Sequence, residues 1–467
     1  MTDPIADDRL HQDLHSGESR TLVPLLLRSI DATLETKVSP EIRSDEARTM
    51  IDIIRSLLYW SVMQLDNGEA LRDDRTRWFS GILGITDTAL PIAADKNILE
   101  AVIAGEAAFY KGFDPESVYD PATAYQGGKS MGRPSFAAAS RPVDAAAITN
   151  YLRTRFRDHP DIAAENVVAL TGGMSKDTIL FDLSGGGEAL DGGVVLRKDL
   201  DQRGSDYSSI DEYSLLQAMY DAGLPLAEPL WSEPDDMGLG TAFIAVRKVG
   251  GQLAANEPFA DEGVRRHFVD RLANTLVRIH QVPLTQLGLY GARAGLPVSA
   301  LLVQQIEEWR DFWRRSRGEP DPAMDFLLGW MEANIPPEPD YAASVVHGDY
   351  GFHNLMTNDG EVSAILDWEF AHPGDPMEDV AYTRQFVEPL GMWQQFLKDY
   401  EGYGGAAFDP VRGRYFEIWQ NVRNACLCAG ALRAFSRGTP GNLRMAAAGI
   451  SLYPRFKLAA LRQISAI

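Results

Sequence analysis

The stretch VVHGDYGFHNLMTNDGEVSAILDWE, from Val345 to Glu369, decides the fold of this chain. It places Asp349, Asn354 and Asp367 in loops beside apolar runs that are typical of buried strands. Carboxylate and amide oxygens are hard ligands, which suit Mg²⁺ better than zinc. Phosphoryl transfer uses one Asp as a proton acceptor and an Asn and a second Asp to hold magnesium. The stretch therefore predicts a phosphate-transfer site whose metal offsets the charge of the acidic side chains.

Length and charge limit the class of protein. A chain of 467 residues, 45% hydrophobic and 24% charged, favours two or three globular folding units. The net charge of −22 repels phosphate backbones, so we expect no nucleic-acid partner. No apolar run reaches membrane-spanning length, and the acidic N-terminus lacks the features of a secretory signal. We therefore expect no membrane association and a cytoplasmic location.

The first part of the chain has no motif that indicates chemistry. Residues 1–112 predict an all-α accessory domain, whose clearest helix is SDEARTMIDIIRSLLYWSVMQL with Ser44 as its cap. Residues 113–142 are rich in Gly, Pro, Ser and Ala and predict a linker. Three roles stay open for the accessory domain: docking against the rest of the chain, shaping a binding cleft, or forming a homodimer.

The second part of the chain has the pattern of a small sheet followed by long helices. Residues 143–250 contain the strand patterns VVALTGGMSKDTILFDL, VVLRKDL and TAFIAVRKVGG. The same segment contains the amphipathic helix DEYSLLQAMYDAGLP, which should end at Gly223. Residues 251–467 are mostly helical around the opening stretch. This pattern predicts an α+β, bilobal plan, with a small β-rich N-lobe and a large helical C-lobe.

The motif HGD-x4-N, followed by DWE and GDP-x-x-D, resembles the aminoglycoside phosphotransferase family. The segments LTGGMSKDT, VLRK, DEYSLLQAM and LVRIHQV resemble further family segments in the same order, so the resemblance runs from Val143 to the C-terminus. That family shares the protein-kinase-like fold. The resemblance implies an enzyme, namely an ATP- and Mg²⁺-dependent kinase that phosphorylates a hydroxyl group of a small molecule.

The resemblance also implies roles in the C-lobe. Asp349 would be the catalytic base, and Asn354 and Asp367 would bind magnesium. We expect structural roles for several other polar residues in the stretch or just after it, and the role of Glu369 stays open. We expect His347 to bond loop backbone, His353 and His372 to be ordinary loop residues, and Asp375 and Asp379 to brace loops through backbone NH groups.

The implied nucleotide-binding residues lie in the N-lobe. They form a turn whose NH groups cradle phosphate, a phosphate-binding cation with an acidic partner, and a hinge that reads adenine through backbone groups. These are Gly172, Gly173, Met174 and Ser175 in the turn, Arg197 as the cation, Glu212 as its partner, and Arg247 and Val249 in the hinge. Because neighbouring residues of a strand face opposite sides, Arg197 is preferred, with Lys198 as the open alternative.

The sequence says least about which substrate accepts the phosphate. IEEWRDFWRRSR and LDWEFAHPGDPMEDVAY look most like the branch found beside or fused to acyl-CoA dehydrogenases, which implies a hydroxyacyl-CoA, a CoA thioester of the 4-hydroxyacyl type. The arginines of the first segment could bind the phosphates of CoA or could form a solvated helix face: Arg310, Arg314, Arg315 and Arg317.

Two alternatives to the hydroxyacyl-CoA kinase remain. Phosphorylation of an aminoglycoside or macrolide antibiotic is slightly favoured by the net charge of −22, which would attract a cationic substrate. The branch resemblance is given more weight because the charge of a whole protein is not the charge of its cleft. A catalytically inactive nucleotide-binding module is the alternative from another class. The complete set of a base and two metal ligands argues against it.

Overall fold

A computed structural model describes most of the chain after residue 95, and helix α1, Lys96–Lys111, is its first complete element. The predicted linker and the predicted phosphate turn Gly172, Gly173, Met174 and Ser175 lie outside the described residues. So does the predicted helix that Ser44 would cap, apart from isolated helical positions such as Ile53. The described ranges are 96–111, 143–170, 176–200, 208–257, 259–288, 292–317, 321–437 and 443–467, with isolated positions before residue 78.

The first lobe is a five-stranded antiparallel sheet in the order β1-β2-β3-β5-β4. Strand β5 lies between β3 and β4, and its alternate residues pack into two different cores. Phe243 and Ala245 pack on one sheet face, and Ile244 and Val246 join the large core of the second lobe. The elements of this lobe are α2 Ala145–Arg155, β1 Ala163–Leu170, β2 Lys176–Ser184, β3 Gly192–Asp199, α3 Ser209–Asp221, β4 Pro229–Glu233 and β5 Phe243–Arg247.

Helix α3 carries Glu212 in its first turn and is fixed at both ends. Ser208 caps its N-terminus, and Asp211 completes a capping box with the Ser208 backbone. The helix stops at Asp221, and Gly223 follows with a φ of 76°, close to the end that the sequence predicts. Because the capping box and the glycine define where the helix begins and ends, Glu212 has a defined position on it, where its side chain is buried.

The second lobe is a helical body with two small sheets, β10-β7 and β6-β8-β9. Among the described residues, no helix is both long enough and apolar enough to cross a bilayer. The elements of this lobe are β6 Gln252–Leu253, α4 Glu262–His280, α5 Val298–Ser316, α6 Pro322–Ala333, β7 Ser344–Val346, β8 Leu355–Asn358, β9 Glu361–Ile365, β10 His372–Gly374, α7 Met377–Val387, α8 Trp393–Gly402, α9 Pro410–Ser436, α10 Leu443–Ala447 and α11 Tyr453–Ser465.

Helix α1 packs into the second lobe although the sequence assigns it to the accessory domain. Leu99 and Val102 belong to the large hydrophobic core of that lobe. On α11, the fully buried Lys457 ammonium lies 2.6 Å from a carboxylate oxygen of Glu106 on α1 and 2.6 Å from one of Asp321. Apolar packing and the buried Glu106–Lys457 ion pair therefore join α1 to the C-lobe.

Candidate active site

The HGD loop begins where β7 ends, and a buried carboxylate holds its backbone. Asp379, on α7, accepts hydrogen bonds from the backbone NH groups of His347 at 2.7 Å and Gly348 at 2.8 Å. Gly348 has a φ of 80°, and a Cβ there would lie 2.7 Å from the backbone oxygen of Phe370, so this position requires glycine. The prediction that Asp379 braces a loop through backbone NH groups is confirmed.

A second buried carboxylate braces the segment that follows DWE. Asp375 accepts hydrogen bonds from the backbone NH of Met377 at 3.0 Å and from the hydroxyl of Tyr341 at 2.9 Å. It is also paired with the buried guanidinium of Arg412. Its structural role is the one that the sequence predicts.

The predicted base Asp349 is held by two side chains of its own loop. Its Oδ2 accepts a hydrogen bond from the Asn354 amide at 2.8 Å and one from His353 Nε2 at 3.2 Å. Burial raises the pKa of Asp349, but His353, together with Arg423 and Tyr382, outweighs burial and keeps the pKa below its ordinary value. The carboxylate is therefore ionised at neutral pH, as a proton acceptor must be.

His353 is a residue whose position the sequence did not reveal. We expected an ordinary loop residue, whereas the ring contacts the carboxylate of Asp349. The spacing of four residues between Asp349 and His353 was the available signal, but the loop is not a regular helix, so spacing alone did not predict contact. His347 behaves as expected, since its Nε2 donates to the backbone oxygen of Leu366 at 3.1 Å.

Backbone pairing brings Asp367 to the same place. Leu355 of β8 pairs with Ile365 of β9, and the next residue, Leu366, donates its backbone NH to the Asn354 carbonyl at 2.7 Å. Asp367 follows with a φ of 61°, a left-handed conformation that Asp adopts more readily than most residues. The structure thus brings together the three residues Asp349, Asn354 and Asp367.

Arg197 links the sheet to this group. Its Nη1 donates to Glu212 Oε1 at 2.9 Å, and its Nη2 donates to Asp367 Oδ1 at 2.6 Å. Lys198 is buried on the other face of β3, where its Nζ donates to the Leu239 carbonyl at 2.8 Å. Burial raises the pKa of Glu212, but Arg197 and then Lys176 outweigh burial and lower that pKa to about 2.

Lys176 and Glu369 complete a charged cluster that the sequence analysis did not identify. The ammonium of Lys176 contacts Glu212 Oε2 and lies 3.8 Å from Glu369 Oε2. Burial and the charge of Asp367 raise the pKa of Glu369 to about 8, although Lys176 opposes this shift. The signal for Lys176 was its place directly after the predicted glycine turn, at the start of β2.

The donor set fits a hard divalent cation. Asp367 provides a carboxylate, and Asn354 provides an amide oxygen, because its two hydrogen bonds to Asp349 use the amide nitrogen. Glu369 Oε2 is buried and accepts no hydrogen bond within the described ranges. In the part of the chain that the structure describes, no group of three or more His, Cys, Asp and Glu side chains is arranged to hold a metal. Magnesium bound here would therefore take further ligands from nucleotide phosphates or water.

The hinge residues sit at the end of β5. The Arg247 side chain donates to the backbone oxygens of Ala189 at 2.8 Å and Leu190 at 3.0 Å, and its backbone NH donates to the Glu228 oxygen at 2.8 Å. An adenine base could not use that NH without breaking this bond. Recognition of adenine near Val249 stays a prediction.

An aromatic cleft lies beside the HGD loop, and we name it the Trp309 cleft. Its walls include Trp309, Phe370, Arg293, Glu308 and Arg423. The Trp309 and Phe370 ring centres are 6.3 Å apart, and the Arg423 guanidinium lies 5.3 Å from the Phe370 ring. Arg423 also donates to the backbone oxygen of the residue before Asp349. Arg423 thus links the wall of the cleft to the backbone directly before the predicted base.

The arginines that were candidates for binding CoA phosphates do not line this cleft. Arg310 pairs with Glu332 at 2.6 Å, and Arg317 pairs with Asp325 at 3.1 Å. Arg314 is exposed, with the Asp311 carboxylate 3.6 Å away. Arg310 and Arg317 are therefore engaged in partly buried ion pairs, and the solvated-face interpretation fits only Arg314 of these three.

Comparison with known proteins identifies the family and the fold of the chain. Residues 166–416 match the model of the phosphotransferase enzyme family, which covers more than half of the chain. A crystal structure from Ralstonia eutropha that is assigned to the aminoglycoside phosphotransferases aligns with 67% of this chain and 98% of its own, at a TM-score of 0.50 and 24% identity. That likeness shows the fold, and it confirms the kinase-like plan of the two lobes.

Two curated relatives have names that indicate different activities. Acyl-CoA dehydrogenase family member 11 of Gallus gallus is 31% identical over 227 residues, which are 48% of this chain and 28% of that protein. An aminoglycoside 3'-phosphotransferase of Escherichia coli is 26% identical over 149 residues, which are 32% of this chain and 53% of that protein. The chain therefore spans less than a third of the length of the first relative and about half that of the second.

Proposed function

The chain belongs to the phosphotransferase enzyme family, and on that premise we propose that it is an ATP- and Mg²⁺-dependent kinase whose acceptor is a hydroxyl of a hydroxyacyl-CoA. The observation that carries the proposal is the meeting of Asp349, Asn354 and Asp367, joined by the 2.8 Å hydrogen bond and the strand pairing described above. These residues supply a base and two oxygen ligands for metal-bound phosphate.

The chain's own residues divide the work of the reaction. Asp349 would orient the acceptor hydroxyl and take its proton, which typically contributes about 10²–10⁴-fold to the rate. Asn354 and Asp367 would hold the cation, which, when bound, neutralises charge that develops on the phosphates. Arg197, fixed by Glu212, would contact phosphate oxygens with a bidentate guanidinium. Gly172, Gly173, Met174 and Ser175 would supply backbone NH groups to the same phosphates.

The lining of the Trp309 cleft favours a phosphate-accepting substrate that has both carbonyl oxygens and apolar surface. Arg293 and Arg423 line it with one carboxylate, Glu308, which is already paired with Arg293 at 2.8 Å. The Nε of Arg423 is buried and makes no hydrogen bond within the described residues. A thioester carbonyl suits such a donor, and an acyl chain suits the faces of Trp309 and Phe370. A polycationic aminoglycoside would instead need more carboxylates than this cleft shows.

The resemblance to acyl-CoA dehydrogenase relatives points to the same acceptor class. Aminoglycoside or macrolide phosphorylation is the second candidate, favoured by the match to the Escherichia coli enzyme and by the global charge of −22. An inactive nucleotide-binding module is the third. It would not require a base at the position of Asp349.

A substrate panel tests the proposal. Release of ADP from Mg·ATP would be measured with 4- and 3-hydroxyacyl-CoAs, with aminoglycosides and with macrolides, for the wild type and for Asp349→Ala. We expect saturable turnover with hydroxyacyl-CoA that the variant loses by at least about 10²-fold. Turnover with antibiotics and none with thioesters would show that the proposed substrate class is wrong and that the second candidate is right. Equal turnover by the wild type and the variant would refute the kinase mechanism.

A further inference from the structure

We propose that Lys176 is a second phosphate-binding cation of the nucleotide site, acting beside Arg197; this inference rests on the proposed function. It adds to the site a residue that lies on a different strand from Arg197 and that binds the same nucleotide phosphates.

The register of the sheet puts the two cations on one face. In the β2–β3 pair, Thr178 lies opposite Arg197, and Lys176 lies opposite Asp199. Side chains two residues apart on a strand point to the same side, so Lys176 shares the face of Thr178 and hence of Arg197. Lys198, between Arg197 and Asp199, points to the opposite face and bonds the Leu239 carbonyl.

The contacts of Lys176 repeat those of Arg197. Arg197 contacts one oxygen of Glu212, and Lys176 contacts the other. Each cation then reaches the segment that carries the predicted metal ligand, Arg197 at Asp367 and Lys176 at Glu369. Both cations therefore bridge helix α3 and the DWE segment, between which nucleotide phosphates would enter.

Among the described residues, the Lys176 ammonium has fewer hydrogen-bond partners than it has donors. A lysine nitrogen carries three N–H donors. Within the described residues the Lys176 nitrogen makes one hydrogen bond, to Glu212. Its distance of 3.8 Å to Glu369 Oε2 is too long for a hydrogen bond. The side chain is only 3% exposed, so solvent has little access to the two remaining donors. Phosphate oxygens arriving between the lobes would satisfy them.

Binding of nucleotides to the full chain distinguishes a phosphate contact from a purely structural ion pair. The dissociation constants of Mg·ATP and of adenosine would be measured by calorimetry for the wild type, Lys176→Met, Lys176→Arg and Lys198→Met. We expect Lys176→Met to weaken Mg·ATP by about 10- to 100-fold, the size of one hydrogen bond to a charged group, and to leave adenosine nearly unchanged. Lys176→Arg should restore most of the ATP affinity.

Lys198→Met is the matched control, because it removes an equally buried lysine from the other face of the neighbouring strand. It should leave the ratio of ATP to adenosine affinity at the wild-type value. If Lys176→Met also leaves that ratio unchanged, the inference is wrong, whatever happens to the melting temperature. A wild type that does not bind Mg·ATP would instead remove the proposed function together with this inference.

A chemical probe gives a second test that does not depend on the folding of a variant. In an ATP analogue acylated on its terminal phosphate, a nearby lysine amine attacks the acyl carbon. An amide forms, the bond between that carbon and the phosphate oxygen breaks, ATP leaves and the amine loses a proton. Peptide mapping should find the acyl group on Lys176, and excess Mg·ATP should suppress it. Acylation that spares Lys176 would overturn the inference.

Discussion

Arg197 of the N-lobe and Asp367 of the C-lobe form a 2.6 Å ion pair across 170 positions of the chain. The pair joins the proposed phosphate-binding cation directly to the proposed metal ligand. When Mg·ATP enters, this ion pair would therefore break, and Asp367 would contact the magnesium ion while Arg197 contacts the phosphates. Each charged partner lost from the ion pair is replaced by a charge of the bound Mg·ATP. The two lobes therefore stay bridged with and without the nucleotide.

Asp367→Asn should raise the Mg²⁺ concentration needed for half-maximal turnover by about 10- to 100-fold, because it removes a charged ligand. Asp359→Asn is the control, since Asp359 is also an aspartate with positive φ, at 53°, in the turn between β8 and β9. Asn tolerates this conformation, so both variants should fold. Titration of turnover with Mg²⁺ measures the effect, and an equal response of the two variants would contradict the metal assignment.

His353→Gln should move the acid limb of the pH–rate profile to higher pH. His353 lowers the pKa of Asp349 by a hydrogen bond and by its charge, so its removal lets that pKa rise and protonates the base at a higher pH. His267→Gln is the control, because His267 also faces a carboxylate, Glu361 at 3.0 Å, but on the surface. A profile of kcat/KM from pH 4 to 8 checks this prediction. An unshifted acid limb in His353→Gln would show that His353 does not influence the pKa of the base.

Asp379→Asn should lower the free energy of unfolding by about 1–3 kcal/mol, because buried NH groups of the HGD loop lose a charged acceptor. It should also lower kcat, since the loop positions Asp349. Urea unfolding followed by fluorescence measures the first effect. Asp340→Asn, at an exposed position of the same lobe, should change neither quantity. Full stability in Asp379→Asn would show that other bonds hold the loop.

The ion pairs of Glu212 should make the protein less stable in acid. The pKa of Glu212 is about 2 in the folded protein and 4.5 as its ordinary value, so the unfolded chain takes up a proton first. This contribution to stability is complete above pH 4.5 and is lost as the pH falls from 4.5 toward 2. Urea unfolding at pH 6, 5, 4 and 3 should show the loss, and Glu212→Gln should show a smaller slope. Equal slopes would mean that other carboxylates cause the acid sensitivity.

Helix α1 should be needed for the stability of the C-lobe. Glu106→Gln and Lys457→Met should each cost about 3–5 kcal/mol, because each leaves a buried charge with one partner fewer. The double variant should cost less than the sum of the two. A chain that begins at residue 96 should unfold at a higher urea concentration than one that begins at residue 140. Additive single variants would show that the two charges do not interact.

Much of the site could be predicted from the sequence because its signals are local. The spacing of Asp349 and Asn354 within one loop, and of Asp367 after an apolar strand, indicates chemistry without any knowledge of the lobes. The preference for Arg197 comes from the resemblance of VLRK to the family segment, and strand alternation then puts Lys198 on the opposite face. The family, the phosphotransferase class and the kinase-like lobes, which the motif resemblance implies, are confirmed.

Other features depend on contacts that no local pattern contains. Lys176 meets Glu212 across 36 positions, and Arg197 meets Asp367 across 170, so these pairs exist only because the sheet, helix α3 and the C-lobe close on one another. The Trp309 cleft is likewise assembled from segments before α5, within it, after β9 and on α9. The sequence by itself predicted which side chains would carry the chemistry, through their type and short spacing. The tertiary structure decided which charges become neighbours, because burial in a shared cleft strengthens interactions that are weak along an open chain.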